Sequence, residues 1–323
     1  MKRPVRVALV LLATVTVAAA TAACEPVPGA SLHPSLTTRS YYMANGTGEP
    51  ARNLGCLQGD KQGRMTLFFG APTTVDGTYG ATLWGAPNRT TEQIAATVRE
   101  FARGYVWCRQ SPDYRLLIGV GTSNSAINSK SDTWLRGHGY AWSAMVRDLS
   151  RWASRHYPGH VRIYGAWDAE PSWSTFSKAE QWMRGYNALA GARPLHANNS
   201  ADGCPQRSSE NGACNNGWNQ YAVWHLAWEH DPSLPIPQIY ATSGANARQW
   251  HMIDAYGHRH HRDGMTFFGV MTQRGACAGS SSSCSGIDAS PTQAHDMLLR
   301  ELNTRDYTRQ ASLPGMTDIR WHS

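Results

Sequence analysis

Apolar and polar positions along the chain follow two alternating patterns. Short, nearly continuous apolar runs, such as YRLLIGVG at 114–121 and VRIYGAW at 161–167, are typical of buried strands. Between them lie longer segments with apolar residues three and four positions apart, such as 141–157, which are typical of amphipathic helices. The pattern predicts strands at 64–72, 114–121, 161–167, 193–199, 236–242, 265–272 and 316–321, and helices at 90–107, 141–157, 175–190, 220–230, 245–261 and 290–303.

This alternation of seven strands with six helices predicts a parallel sheet in an α/β fold. The length and regularity favour a (β/α)8-type TIM barrel, in which TRSYYMA at 38–44 or ATLWGA at 81–86 supplies the eighth strand. An open doubly wound sheet is the alternative. Residues 51–323 are predicted to form this single domain.

The connections between the predicted elements differ in length and composition. Segments that follow strands are long and rich in Gly, Asn, Ser and Cys, whereas segments that follow helices are mostly short. In α/β folds the functional site lies beyond the carboxyl ends of the strands. Candidate chemistry is therefore sought at the strand ends.

The N-terminus has the pattern of a secretory signal. A basic start, MKRPVR, precedes an apolar stretch and small residues, so 1–23 is predicted to be a signal peptide and 24–50 a flexible leader. TAAC resembles a bacterial lipobox, which leaves two alternatives open: lipidation of Cys24 at the outer face of the cell membrane, or free secretion after cleavage near Ala22. No later stretch approaches the roughly 20 apolar residues of a membrane-spanning helix.

The remaining six cysteines fall into neighbouring pairs, and an exported chain keeps such pairs oxidised. We predict the disulfides Cys56–Cys108, Cys204–Cys214 and Cys277–Cys284, although the sequence leaves other connectivities open. Cysteines that pair in this way are not expected to bind zinc.

Charge and motifs exclude several classes of protein. Removal of the signal, with Lys2, Arg3 and Arg6, lowers the formal net charge from +7 to +4, and no polybasic block remains, so no nucleic-acid partner is expected. GVGTSN lacks the third glycine and the helix of a dinucleotide loop, and GTSNS is not a serine-hydrolase elbow. No cofactor and no metal are expected, and the oligomeric state is left open.

Two carboxylates two residues apart, Asp168 and Glu170, end the central strand in the stretch YGAWDAEPSW. Alternate residues of a strand project to the same side, so both carboxylates are predicted to point into the barrel mouth. Two close carboxylates raise the pKa of one of them, which creates a proton donor beside an ionised partner. An acidic turn with a purely structural role is the alternative.

The DxE motif at a strand end resembles family 25 lysozymes and family 18 chitinases, and AEPSW is similar to the strand end of the large glycosidase clan A. GAWDAEPSW, IGVGTSN, PQIYATSGANARQW and the loop with Cys204 and Cys214 together resemble an uncharacterised group of secreted proteins from high-GC Gram-positive bacteria. The resemblance to glycosidases implies a barrel in which Glu170 is the general acid and Asp168 its partner.

The chain also departs from these families. Family 25 enzymes carry another aspartate at the end of the first strand, where this chain has FFGAP and the nearest acid is Asp76. The chitinase run of four acids is reduced to its last two, and no strand after Glu170 ends in the second glutamate of clan A. A retaining mechanism with two glutamates is therefore not expected.

Other polar and aromatic residues at predicted strand ends are suited to binding sugar hydroxyl and acetamido groups. The expected function is hydrolysis of a cell-wall or environmental polysaccharide, with peptidoglycan or another polysaccharide as partner. A non-catalytic carbohydrate- or wall-binding barrel is the alternative from another class. The predicted substrate-binding residues are Trp173, Asn124, Asn198, Asn199, Asp202, Tyr240 and Gln273.

Overall fold

A computed structural model describes residues 37–44, 48–189, 191–278 and 284–322. Residues 34–323 form one compact unit. The predicted signal peptide, Cys24 and the leader up to residue 36 lie outside the described residues.

Eight parallel strands form the main sheet, which confirms the predicted α/β barrel class. Their order is β10-β11-β1-β2-β6-β7-β8-β9, so the strands follow chain order around the sheet, with the first strand, β1, beside the last, β11, and with β3–β5 outside this sheet. The curled sheet closes beyond β9, where Gln238 pairs with Met271 and Ile239 N donates to Met271 O at 2.9 Å. The strands are β1 Thr37–Met43, β2 Gly63–Phe68, β6 Leu116–Ser123, β7 Val161–Asp168, β8 Leu195–Ala197, β9 Ser233–Pro235, β10 Val270–Thr272 and β11 Met316–His322.

The eighth strand is β1, the first of the two predicted candidates. TRSYYM places Tyr42 and Met43 in the buried sheet, where β1 pairs with β11 along its whole length and with β2 at Tyr41 and Tyr42. Because β1 lies within 24–50, the barrel begins earlier than residue 51. The second candidate, 81–86, lies outside the barrel sheet, in a small antiparallel sheet inserted after β2 and formed by β3 Ala71–Val75, β4 Thr78–Thr82 and β5 Arg89–Thr90.

All six predicted helices are present. The helix predicted at 141–157 is longer than predicted, and the one predicted at 220–230 is α-helical only in its first part. The segment predicted at 220–230 is α-helical only to Trp224 and continues as a π-helical turn, His225–Glu229. The helices are α1 Glu49–Cys56, α2 Thr91–Cys108, α3 Asp132–His156, α4 Phe176–Asn187, α5 Gln220–Trp224, α6 Ala245–His261, α7 Arg274–Cys277 and α8 Pro291–Leu302.

Helix α3 begins nine residues before the predicted start because its first turns pack against α4. Ser131 caps it by accepting a hydrogen bond from Trp134 N at 3.2 Å. Gly139 faces the backbone of Trp182, and Gly185 faces the backbone of Arg136, so closely that a Cβ at either position would clash. Two glycines that weaken a helical pattern in the sequence are therefore the residues that let these helices meet.

Aromatic packing couples α4 to the central strand. The rings of Trp167 and Trp182 stack with centroids 3.8 Å apart, and both side chains are fully buried. Trp182 Nε1 donates to His138 Nδ1 at 2.9 Å, so the His138 proton is on Nε2, which contacts Gly80 O at 2.8 Å. Burial lowers the pKa of His138 to about 4, which keeps this ring neutral.

The three predicted disulfides, Cys56–Cys108, Cys204–Cys214 and Cys277–Cys284, are all present. The first joins α1 to the end of α2, and the other two close loops that follow β8 and β10. Such bonds are typical of an oxidising compartment. Within the described ranges, no helix combines the length and apolar character needed to cross a membrane.

Candidate functional site

Asp168 and Glu170 occupy the carboxyl end of β7, on the face of the barrel where the sequence predicts a site. Asp168 is the last residue of the strand and is 1% exposed, whereas Glu170 is partly exposed. Among the described residues, neither carboxylate forms an ion pair with a basic side chain. The acids are therefore not neutralised by salt bridges.

Gln238 holds the two carboxylates together. Its Nε2 donates to Asp168 Oδ1 at 2.7 Å, to Glu170 Oε1 at 3.0 Å and to Asn198 O at 3.0 Å. Because both carboxylate oxygens contact the same nitrogen, 2.7 and 3.0 Å away, they lie at most about 5.7 Å apart. Gln238 is absent from the predicted site residues, although it lies two residues before Tyr240 in the predicted strand 236–242, where both side chains would project to the same side. In the structure this strand is shifted, because β9 ends at Pro235 and Gln238 forms only an isolated bridge.

Burial and nearby negative charge keep protons on this pair. Burial is the main cause that raises the pKa of Asp168 well above its usual range, and the charges of Glu170 and Asp202 raise it further. Burial also raises the pKa of Glu170 to about 8, again with a contribution from Asp202. At neutral pH Glu170 therefore carries a proton that it can donate.

The amide of Asn124 fixes the Glu170 backbone. Asn124 Oδ1 accepts from Glu170 N at 2.9 Å, and Nδ2 donates to Glu170 O at 2.9 Å and to Ser174 Oγ at 2.8 Å. Asn124 is fully buried, so it positions Glu170 and is not exposed to a ligand.

The two neighbouring asparagines after β8 have similar roles. Asn199 Oδ1 accepts from Ala169 N at 3.1 Å, and Asn198 Oδ1 accepts from Thr66 Oγ1 at 2.9 Å. Both asparagine side chains are buried. Asn199 therefore fixes the backbone that follows β7, and Asn198 binds a side chain inside the barrel.

Tyr240 lies beside the carboxylates together with Tyr42, which the sequence analysis does not single out. Burial raises the pKa of both phenols, and the charges of Asp168 and Glu170 raise them further. The side chains of Tyr240 and Tyr42 are also joined by a hydrogen bond. A pair of protonated phenols therefore adjoins the carboxylates.

Trp173, Asp202 and Gln273 are three further predicted residues that are at least partly exposed. Trp173 is 36% exposed, and its backbone N–H donates to Glu170 O at 3.0 Å, which fixes it beside the acid. Asp202 is partly exposed after β8 and interacts electrostatically with both carboxylates. Gln273 is partly exposed and follows β10, with no contact to the carboxylates in the structure.

A cluster of aromatic rings at the ends of β1 and β11 was not predicted from the sequence. Tyr42 lies 4.6 Å from Trp84 and 4.9 Å from Trp321 between ring centroids. Trp321 is the last residue of the predicted strand 316–321, so the sequence pattern could have placed it at the barrel mouth. Trp84 reaches the cluster from the small sheet inserted after β2, which no local pattern reveals.

The fold and site define an α/β barrel with a carboxylate pair at its mouth. The described ranges contain no group of three or more His, Cys, Asp or Glu residues arranged to hold a metal ion. No known family model and no curated protein matches the chain.

Asp254 of α6 is a third buried carboxylate, outside the mouth. Its Oδ1 accepts from Met265 N at 2.7 Å, and its Oδ2 is buried with no hydrogen-bond partner among the described residues. Burial raises the pKa of Asp254 to about 8. A raised pKa means that the folded state holds the proton more tightly, so stability is lost as pH rises from about 4 to 8.

We expect Asp254→Asn to remove this part of the pH dependence, because asparagine resembles the protonated acid in shape. One pKa unit corresponds to about 1.4 kcal/mol, so the free energy of unfolding of the variant should gain on the order of 2 kcal/mol over wild type between pH 5 and pH 6.5. Urea denaturation of both proteins at the two pH values measures this difference. Parallel pH profiles would contradict the assignment.

Proposed function

We propose that this chain is an exported glycoside hydrolase that cleaves a cell-wall or environmental polysaccharide, with Glu170 as the general acid. The observation that carries this proposal is a partly exposed carboxyl at a strand end whose pKa is raised to about 8. A carboxylic acid that stays protonated at neutral pH is the group that protonates a glycosidic oxygen.

The reaction proceeds by proton transfer from Glu170 to the glycosidic oxygen as the bond from that oxygen to the sugar carbon breaks. Positive charge develops on the ring, and a carboxylate nearby stabilises it or takes a proton from the attacking water. Asp202 is proposed for this role because it is partly exposed and interacts with both other acids. When water attacks the sugar carbon, the proton that it loses passes to Asp202. Asp202 then releases this proton to solvent, and Glu170 takes one up from solvent, so both groups return to their starting states.

Asp168 is proposed as a positioning residue, although the sequence analysis treats it as a catalytic partner. At 1% exposure its carboxyl does not face a ligand, and its contact is with Gln238. It acts through Glu170 by accepting a hydrogen bond from Gln238, whose amide also binds the Glu170 carboxyl.

Export is proposed from the signal-like N-terminus and agrees with three disulfides in the folded unit. Both routes remain proposals, secretion of a free protein or attachment through a lipid on Cys24. A mildly basic mature chain suits an anionic cell wall.

A non-catalytic carbohydrate-binding barrel is the second candidate. It is favoured by the burial of Asp168 and by the Gln238 amide that ties both carboxylates in place. Such a satisfied network stabilises a turn even without chemistry.

A glycan screen separates the two candidates. Wild type and Glu170→Gln are incubated with labelled peptidoglycan, chitin and plant glycans, and released reducing ends are counted alongside bound glycan. Release by wild type that is lost in the variant supports the hydrolase. Binding without release supports the binding barrel, and equal release from both proteins would remove Glu170 from the mechanism.

A further inference from the structure

Exposed tryptophans stand on opposite sides of the barrel mouth. Trp321 lies near the end of β11, and Trp173 follows β7. In the order of the closed sheet β11 and β7 are four strands apart in either direction. The carboxylates are at the end of the strand that Trp173 follows, and they interact electrostatically with Tyr42 on β1, the neighbour of β11.

The first site, which we call the β11 platform, consists of Trp321, Trp84 and Tyr42. Trp321 and Tyr42 are register partners in neighbouring parallel strands, so their side chains project to the same side of the sheet. Tyr42 is an interior residue that interacts with Asp168 and Glu170, which places the platform at the inner rim of the mouth. Trp321 is 50% exposed and Trp84 is partly exposed, so the rings offer a surface to a ligand.

The second site is Trp173, whose backbone is tied to Glu170 three residues away. Trp173 is 36% exposed, and the strand that it follows lies across the closed sheet from β11. Glu170 is thus linked to one site by a backbone hydrogen bond from Trp173 and to the other by its electrostatic interaction with Tyr42.

The indole N–H groups distinguish these tryptophans from several buried ones. Trp142, Trp182 and Trp218 are buried and donate to Val120 O, His138 Nδ1 and Ser174 O. Within the described ranges, Trp84, Trp173 and Trp321 make no such bond. Aromatic faces with free N–H donors suit sugar rings, whose C–H faces stack while their hydroxyls accept hydrogen bonds.

We propose that the mouth binds an extended polysaccharide of several rings, with stacking at the β11 platform and at Trp173 and the scissile bond at Glu170 between them. This rests on the proposed function, which it deepens from glycoside cleavage in general to cleavage inside a chain. A site for a single terminal sugar would need one aromatic wall and a closed end, whereas here both sides of the acid carry an exposed indole.

The test measures binding by calorimetry in a Glu170→Gln background, so that hydrolysis plays no part. The probes are chitin oligosaccharides and peptidoglycan glycan strands of two to eight rings. Affinity is expected to rise with chain length until both sites are filled. Trp321→Ala and Trp173→Ala should each weaken binding of the longest probes about ten-fold, as loss of an aromatic anchor does, and change disaccharide binding much less.

Trp107→Ala is the matched control, because Trp107 is 80% exposed at the end of α2 and outside the mouth. It should bind every probe as the parent does. Affinity that does not depend on length, mouth variants that behave like Trp107→Ala, or no binding of any probe would overturn the proposal. Length-dependent binding without hydrolysis by the chain with Glu170 would overturn the hydrolase instead and leave the extended site standing.

Discussion

Glu170→Gln is expected to lower the rate of glycan hydrolysis by about 10³-fold, within the range that a positioned general acid contributes. Glutamine keeps the shape of the side chain and an oxygen that can accept from Gln238, but it has no proton to donate. The turn is preserved, because Asn124 binds the backbone of residue 170 and not its side chain. The loss should therefore appear in kcat, with glycan affinity little changed.

The pH profile makes this prediction specific. The acid must be protonated, and burial raises the pKa of Glu170 to about 8, so wild-type activity should fall as pH rises through about 8. Residual activity of Glu170→Gln should lack this alkaline limb. Initial rates between pH 5 and pH 10 on the glycan found in the screen provide the measurement.

Asp202→Asn is the companion variant. The negative charge of Asp202 contributes to the raised pKa of Glu170, so its removal should lower that pKa and move the alkaline limb to lower pH. An unchanged limb in Asp202→Asn, or a limb that persists in Glu170→Gln, would show that another group donates the proton.

The barrel could be predicted because its signals are local. Each buried strand is a short apolar run, and helix α6 has the predicted bounds because its apolar positions repeat along one segment. The strand end with Asp168 and Glu170 follows from the same pattern. The disulfides could be paired because their partners are neighbours among the cysteines.

The contacts that complete the site are not local. Gln238 meets Asp168 across 70 residues of sequence, and Trp84 reaches Tyr42 through the small antiparallel sheet inserted after β2. The start of α3 depends on Gly139 and Gly185 at a helix contact, while in a single sequence they resemble helix breakers. The three asparagines show the same dependence on distant contacts: polar residues at strand ends resemble ligand groups in the sequence, and only the fold shows that their amides bind protein groups.

Trp182→Ala is expected to cost about 4 kcal/mol of unfolding free energy, the largest effect on stability that we predict. Removing a fully buried indole leaves a cavity, and such substitutions cost about 3–5 kcal/mol. The variant also loses the stack on Trp167 and leaves His138 Nδ1 without its donor. Trp182→Phe keeps a ring against Trp167 but not the N–H, so its cost should be intermediate, about 1–2 kcal/mol.

Trp107→Ala is again the control, since an 80% exposed ring contributes little, and its change should stay within about 0.5 kcal/mol. Urea denaturation followed by far-ultraviolet circular dichroism gives all three values. Equal stability of Trp182→Ala and Trp107→Ala would contradict the packing described for α4. Trp167 directly precedes Asp168, so its packing supports the end of β7. If Trp182→Phe folds normally, the pKa of Glu170 should be unchanged, which would show that Trp182 contributes to stability and not to proton transfer.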